Sequence, residues 1–289
     1  MVEIKAFKTY QEQIDLLRYR GCVVDDESFA IDYLRRKNYY RFSGYLLSFK
    51  QTDGRYVYGT SFEKIAAIYD FDQKLRNIII KALEDVEIHV KSIIAYRHGH
   101  SYGPLGYLEI INFNERHDHI RFIDKLNSSI ENNKNALFVR HHRLKYGYFP
   151  IWVASELFTM GMISLFYADM RVVDKVTIAK EFNTSYPYLE TWLHSSAVLR
   201  NICAHYDRLY NIQFHQNPKL PRSYTTYADM NKRSLFKQMY MLKLLYSDYR
   251  KPWNDSILLP LTALIETSDF IDLNTMGMPS NWESALRWE

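Results

Sequence analysis

Apolar residues recur at spacings of three and four along most of the chain, while strict apolar–polar alternation is nearly absent. That period predicts α-helices and little or no sheet. A first short helix is expected over 10–21, ended by Gly21, and a second, capped by Asp25 or Asp26, runs through Phe29, Ile31 and Leu34 to about Lys37. The next stretch, NYYRFSGYLLSFKQTDGRYVYGT, mixes rings with glycine and an Asp-Gly turn signal, so it is the one place where a short hairpin fits. Thr60 and Glu63 stand at capping-box spacing before FEKIAAIYDFDQKLRNIIIKALEDVEIHVKSIIAYRHGH, the longest helical run, which Gly99, Gly103, Pro104 and Gly106 interrupt. Further helices are expected over 114–131, 136–145, 150–170, 174–182, 187–211, 232–249 and 256–266, with Pro218, Pro221 and Pro252 punctuating the last third. Since no repeat, low-complexity tract or linker separates two halves, the pattern implies one compact all-α domain over 1–289, with an N-terminal helical subregion 1–59 and a core 60–289.

Composition narrows the class only a little. A hydrophobic fraction of 47% with 24% charged residues excludes a disordered chain. The 24 Tyr and 16 Phe supply many rings, which suit base stacking as well as helix packing, and packing accounts for most of them. A formal charge of +4 permits a phosphate-bearing partner without requiring one. Cys22 and Cys203 provide no disulfide framework, which fits a reducing cytoplasm, and Cys203 reads as a small buried filler. The N-terminus lacks an apolar signal-like stretch and no window reaches the roughly 18 apolar residues of a membrane span, so a soluble cytoplasmic protein is expected. There is no phosphate-binding glycine loop and no Gly-x-Ser-x-Gly elbow, which argues against nucleotide hydrolysis and acyl transfer. His141 and His142 are adjacent and would point apart on a helix, and His98 with His100, and His117 with Asp118 and His119, lack a clear third ligand at fixed spacing, so neither a metal nor another cofactor is expected.

The run RNICAHYDRLYN, residues 200–211, carries the most chemistry. On a helix over 187–211, Leu189, Trp192, Leu193, Ser196, Leu199, Ile202 or Cys203, Tyr206 and Leu209 share the core face. Asn201, His205 and Arg208 then line the opposite side, with Arg200 one step round. Imidazole can take the proton of a ribose 2′-hydroxyl, and guanidinium can bind the phosphate and stabilise charge growing on it. One histidine cannot act as base and acid on opposite sides of the phosphorus, so a homodimer would supply the second. Arg followed five residues later by His is expected roughly 0.7 times by chance at this composition, so the bare spacing says little; Asn directly after Arg makes the pattern more specific. A solvated helix face explains the same letters.

Two other basic runs stand out. LRRKNYYRFSGY, residues 34–45, interleaves cations with rings in the manner of an RNA platform, although a helix C-terminus followed by packed aromatics explains it too. RHHRLK offers Arg140, Arg143 and Lys145 for steering RNA, or is an ordinary charged helix end. Asp72, Arg76, Glu87 and Glu156 sit on neighbouring helical runs, where a carboxylate could orient His205 or pair with Arg200, or simply join two helices.

RNICAHYDRLYN resembles the RNxxxH motif of HEPN-type ribonucleases, in the form carried by the AbiD/AbiF-like branch of the Abi (abortive infection) family. QIDLLRYRGCVVDDESFAIDYLRRKNYYRFSGYLLSF, IYDFDQKLRNIIIKALEDVEIHVKS, GYFPIWVASELFTMGMISLFY and MGMPSNWESALRW are similar to that family's other blocks, in the same order. The resemblance implies a HEPN-like helical bundle with additional N-terminal helices, a dimeric metal-independent endoribonuclease site, and a toxin-like role that halts growth on phage infection. It implies Arg200 and His205 as the catalytic pair, with Asn201 as the polar second residue. Arg208 and Asn211 are extensions seen in this branch, and Asn38, Tyr39 and Arg41 belong to the resembling N-terminal block, where RNA contact is expected. An RNA substrate and a restraining noncoding RNA or protein antitoxin follow as expected partners. A non-catalytic RNA-binding or protein-interaction module is the alternative.

Overall fold

The computed structural model describes residues 6–221 and 233–289. Its axis is α4, Phe62–Tyr102, whose 41 residues make a rod about 60 Å long. Ile65, Ile68, Leu75, Ile79, Leu83, Val86, Val90 and Ile94 recur along it at helical spacing and are all buried. Different helices cover different lengths of that stripe, which is why so long a helix is stable in a protein of this size. Ser61 caps its start, accepting from the Lys64 N–H, and Gly103 ends it with φ +77°, a backbone angle that glycine adopts without penalty.

Capping at the start departs from the expected Thr60/Glu63 box. The Thr60 hydroxyl donates to the Val57 carbonyl, and the Glu63 carboxylate accepts from the backbone N–H groups of Asp25 and Asp26. Glu63 thus ties the loop before α2 onto α4. A capping box does occur at α1, Tyr10–Tyr19, where Thr9 and Glu12 satisfy each other's backbone. Asp26 caps α2, Glu27–Lys37, and Asn38 caps α3, Tyr39–Leu46. The expected hairpin is replaced by α3 and a tight turn holding one isolated antiparallel bridge, Lys50 to Tyr56. Phe42 stacks on Phe62 with centroids 4.4 Å apart and locks α3 to the start of α4.

At the far end of α4 lie α5, His119–Asn132, and α6, Leu137–Lys145. The single helix expected over 150–170 is broken into α7, Ile151–Ala154, a 3-10 turn Ser155–Leu157, and α8, Met160–Asp169. Thr159 restarts the helix by accepting from the Met162 N–H. The fold continues with α9, Val172–Glu181, and α10, Tyr186–Ala204. After the undescribed stretch come α11, Leu235–Leu245, and α12, Arg250–Trp253, which passes through a π turn, Asn254–Leu258, into α13, Leu259–Glu266. The chain's last helix is α14, Trp282–Leu286. The protein is all-α: among the described residues, helices are the regular elements and β pairing is confined to isolated bridges. Every residue of α11 is buried, against α10, α4 and α14. No described helix is long and apolar enough to cross a membrane.

Candidate active site at the end of α10

Helix α10 packs on α8, α4, α9 and α11 through Leu189, Trp192, Leu193, Ser196, Leu199 and Cys203, the face its periodicity predicts. One strip is left outward. His194, Asn201 and His205 on it are exposed, and Val198 between them is half-buried. Arg200, one step round, leans toward α4 with its Nε 3.9 Å from Glu87 Oε2. The other Glu87 oxygen accepts from Lys91 Nζ at 2.8 Å. A carboxylate beside Arg200 is therefore present, and it is Glu87; Glu156 is exposed and lies elsewhere, near Trp152.

The helix does not run to 211 as its periodicity suggests. It stops at Ala204, His205 is the C-cap, and Tyr206 takes the left-handed conformation with φ +61°. The expected alignment of Arg208 with Asn201 and His205 is therefore absent, and Tyr206, expected in the core, is exposed. The physical cause is a set of tertiary hydrogen bonds that outcompete the helical ones. Arg41 donates to the Tyr206 carbonyl at 2.6 Å, Arg76 to the Asp207 carbonyl at 3.3 Å, and Arg208 to the Gly44 carbonyl. Asp72 accepts from the backbone N–H groups of Leu209 and Tyr210, from Tyr45 Oη at 2.6 Å, and from Arg76 at 2.7 Å. Burial pushes the Asp72 carboxyl above its ordinary pKa, while Tyr45, Arg76 and the two amides pull it back toward the charged form. Four donors and no acceptor at its oxygens favour the carboxylate, which is the state we assign.

The turn thus pins the chain just after His205, α10 holds it before, and the imidazole is left outward, with no hydrogen-bond partner among the described residues. Asn201 lies one turn back on the same strip, and the His205 backbone N–H donates to its carbonyl at 2.9 Å. Burial pushes the Cys203 thiol up to about 12, so it is an uncharged filler within the motif.

The remaining expected residues fall into two groups. Arg41, Asn38 and Arg208 lie beside the motif, but each carries structure: Arg41 and Arg208 hold carbonyls of facing segments, and the Asn38 side chain accepts from the Tyr40 N–H. The Tyr39 ring is half-buried against the core, and Tyr45 is buried as a donor to Asp72. Asn211 also adopts a positive φ, 52°, in the turn that follows. Arg140, Arg143 and Lys145 are on α6, whose His142 packs on Phe149 at 6.0 Å, and the Phe149 carbonyl accepts from Tyr107 Oη just past the far end of α4. Arg143 there pairs with Glu131 at 3.3 Å. The structure does not bring that run to the motif. His117 bonds Asp169 at 3.0 Å and His119 at 3.2 Å, and no group of three or more metal-ligating side chains converges among the described residues. Asp72 and Tyr45 anchor the turn, a role that the sequence signals only through the Asp72/Arg76 spacing of one helical turn.

An all-α protein that exposes Arg, Asn and His at the clamped end of a core helix is thereby defined. Comparison with known families then places it: the profile of the Abi-like protein family matches residues 32–211, and the chain belongs to that family. The matched span runs from α2 through the turn that Asp72 anchors, so it contains the whole of this site. No curated protein and no solved structure matches the chain.

Proposed function

We propose that the protein is an endoribonuclease effector of abortive infection, acting on RNA as a homodimer without a metal. Membership of the Abi-like family points to phage defence. The observation that carries the chemistry is the outward His205 imidazole, without a hydrogen-bond partner among the described residues and one turn from Asn201, which follows the Glu87-flanked Arg200 in the chain, on a helix whose opposite face is core. A helix end rigidly fixed yet bearing outward polar heads suits a site more than a fold.

In the proposed step, His205 of one protomer takes the 2′-hydroxyl proton, and the 2′-oxygen attacks the adjacent phosphorus. The P–O5′ bond breaks, leaving a 2′,3′-cyclic phosphate, and the 5′-oxygen takes a proton from the second protomer's imidazolium. Arg200 holds a non-bridging oxygen and offsets its growing charge, and Asn201 supplies a neutral donor beside it. The outward strip of α10 is the face through which two copies would meet. Its control by a noncoding RNA or protein antitoxin belongs to the same proposal.

Purified protein in excess chelator should cut single-stranded RNA to cyclic-phosphate and 5′-hydroxyl ends, and His205→Ala should abolish cutting with RNA binding retained. Expression of the wild type, and not of His205→Ala, should slow bacterial growth. Intact RNA with tight binding would favour a non-catalytic RNA-binding module instead.

A further inference from the structure

A groove of about 570 Å³ runs between the end of α2, the start of α3, α4 and the end of α10. Its walls carry Arg36, Lys37, Arg41 and Arg76, and none of its described lining residues is a carboxylate. Two of these cations are already committed, Arg76 to Asp72 at 2.7 Å, and Lys37 to the Gln73 carboxamide at 2.8 Å and to the Asp70 carboxylate at 3.9 Å. Arg36 has no partner among the described residues, and Arg41 uses only one terminal nitrogen, on the Tyr206 carbonyl. Ile80 and Ala204 add apolar lining, Asn38, Gln73 and Asn77 add carboxamides, and the ring of Tyr206 is 67% exposed. Ala204 and Tyr206 are the two neighbours of His205, so the groove begins where the candidate active site ends.

Asp72 and Asp70 answer Arg76 and Lys37, which leaves Arg36 and the rest of the Arg41 guanidinium as the cations open to a ligand, on a concave surface beside an exposed ring. The groove's volume lies within the range of small-ligand sites and suffices for one nucleotide. Such a combination fits a phosphate, a sugar and a stacked base of a single strand, since a paired base has no free face to lay on a ring. We propose that this groove seats one nucleotide of single-stranded RNA next to the linkage cut at His205, with Arg36 and Arg41 on its phosphate and Tyr206 against its base. The inference rests on the ribonuclease reading, which it extends to the strand's path.

The test separates the two. Binding is measured by fluorescence anisotropy with a labelled 12-nucleotide RNA carrying 2′-O-methyl groups, which cannot be cut by 2′-attack, and cleavage is measured in parallel on the unmodified strand. Arg36→Glu should weaken binding about tenfold at low salt and flatten its salt dependence by about one phosphate contact. Tyr206→Asn removes the ring and retains a residue that tolerates φ +61°, and should weaken binding several-fold. Arg121→Glu on α5 makes the same charge change away from the groove and should bind as the wild type does. Wild-type affinity in both Arg36→Glu and Tyr206→Asn, an equal loss in Arg121→Glu, or no binding by the wild type would overturn the groove. Cleavage undiminished by His205→Ala would instead sink the ribonuclease reading, whatever the binding arm shows.

Discussion

At the scale of single residues, the motif divides into groups that anchor and groups that are free. Asp72 is 0% exposed and its oxygens gather donors from three segments, so Asp72→Asn leaves Arg76 as an uncompensated buried cation and turns an amide toward backbone N–H groups. A loss of about 3–5 kcal/mol is expected in urea unfolding; a change below about 1 kcal/mol would show that the turn is held by something else. Arg208 and His205 make a sharper contrast, because both look equally functional in the sequence. Arg208 is half-buried on the Gly44 carbonyl with Tyr45 at 5.9 Å, so Arg208→Ala should cost about 1.5–3 kcal/mol, as a lost charged hydrogen bond does. His205→Ala removes an outward ring and should leave the unfolding midpoint almost unmoved while ending cleavage. If the two variants destabilised equally, the assignment of one to the fold and the other to chemistry would fail.

Helices show what periodicity can and cannot reveal. The starts and stops at Asp26, Gly21 and Gly103 were legible because local chemistry decides them: a side chain meets its own helix end, or a glycine takes a positive φ. The stop at Ala204 was not legible. Residues 205–211 contain no Gly or Pro and continue the helical spacing of apolar positions, and the chain leaves the helix only because Arg41, Arg76 and Asp72, far off in sequence, take its backbone groups. The break at 155–159 has a local cause instead, the Thr159 hydroxyl accepting from the Met162 N–H within a run whose apolar residues continue the helical spacing. Asn38 joins the two cases. It ends α2 with φ +61° and begins α3 by accepting from the Tyr40 N–H at 2.8 Å, which explains its place in the resembling block without RNA. Asn38→Ala should cost about 2 kcal/mol, one part for the cap and one for the strained backbone, and Asn38→Gly, which relieves the second, clearly less. Equal losses in thermal or urea unfolding would remove the backbone from the account.

Across the whole molecule, one buried cluster runs from Ile14 to Leu286, so a charge forced into it anywhere is felt in global stability. His98 is the place to ask this, far along α4 from the motif. It is 1% exposed, lies among Tyr102, Phe113 and Phe166, and neither ring nitrogen has a well-formed hydrogen bond. Burial lowers its pKa from 6.5 to about 4, with the Gly106 backbone pulling the other way. The folded protein therefore keeps His98 neutral at a pH where the unfolded chain has already protonated it. Stability from this residue is complete above the unfolded value near 6.5 and erodes as the pH falls toward 4. Between pH 7 and 5 that amounts to about 2 kcal/mol. His98→Phe keeps a ring of similar size in the aromatic cage and removes the proton acceptor, so its unfolding free energy should fall much less over the same interval. Urea titrations of both proteins at the two pH values decide the matter, because other titrating groups contribute equally to each and cancel in the difference. Parallel pH dependences would mean that His98 is hydrated or paired in the folded protein, and that this part of the core is more open than its packing indicates.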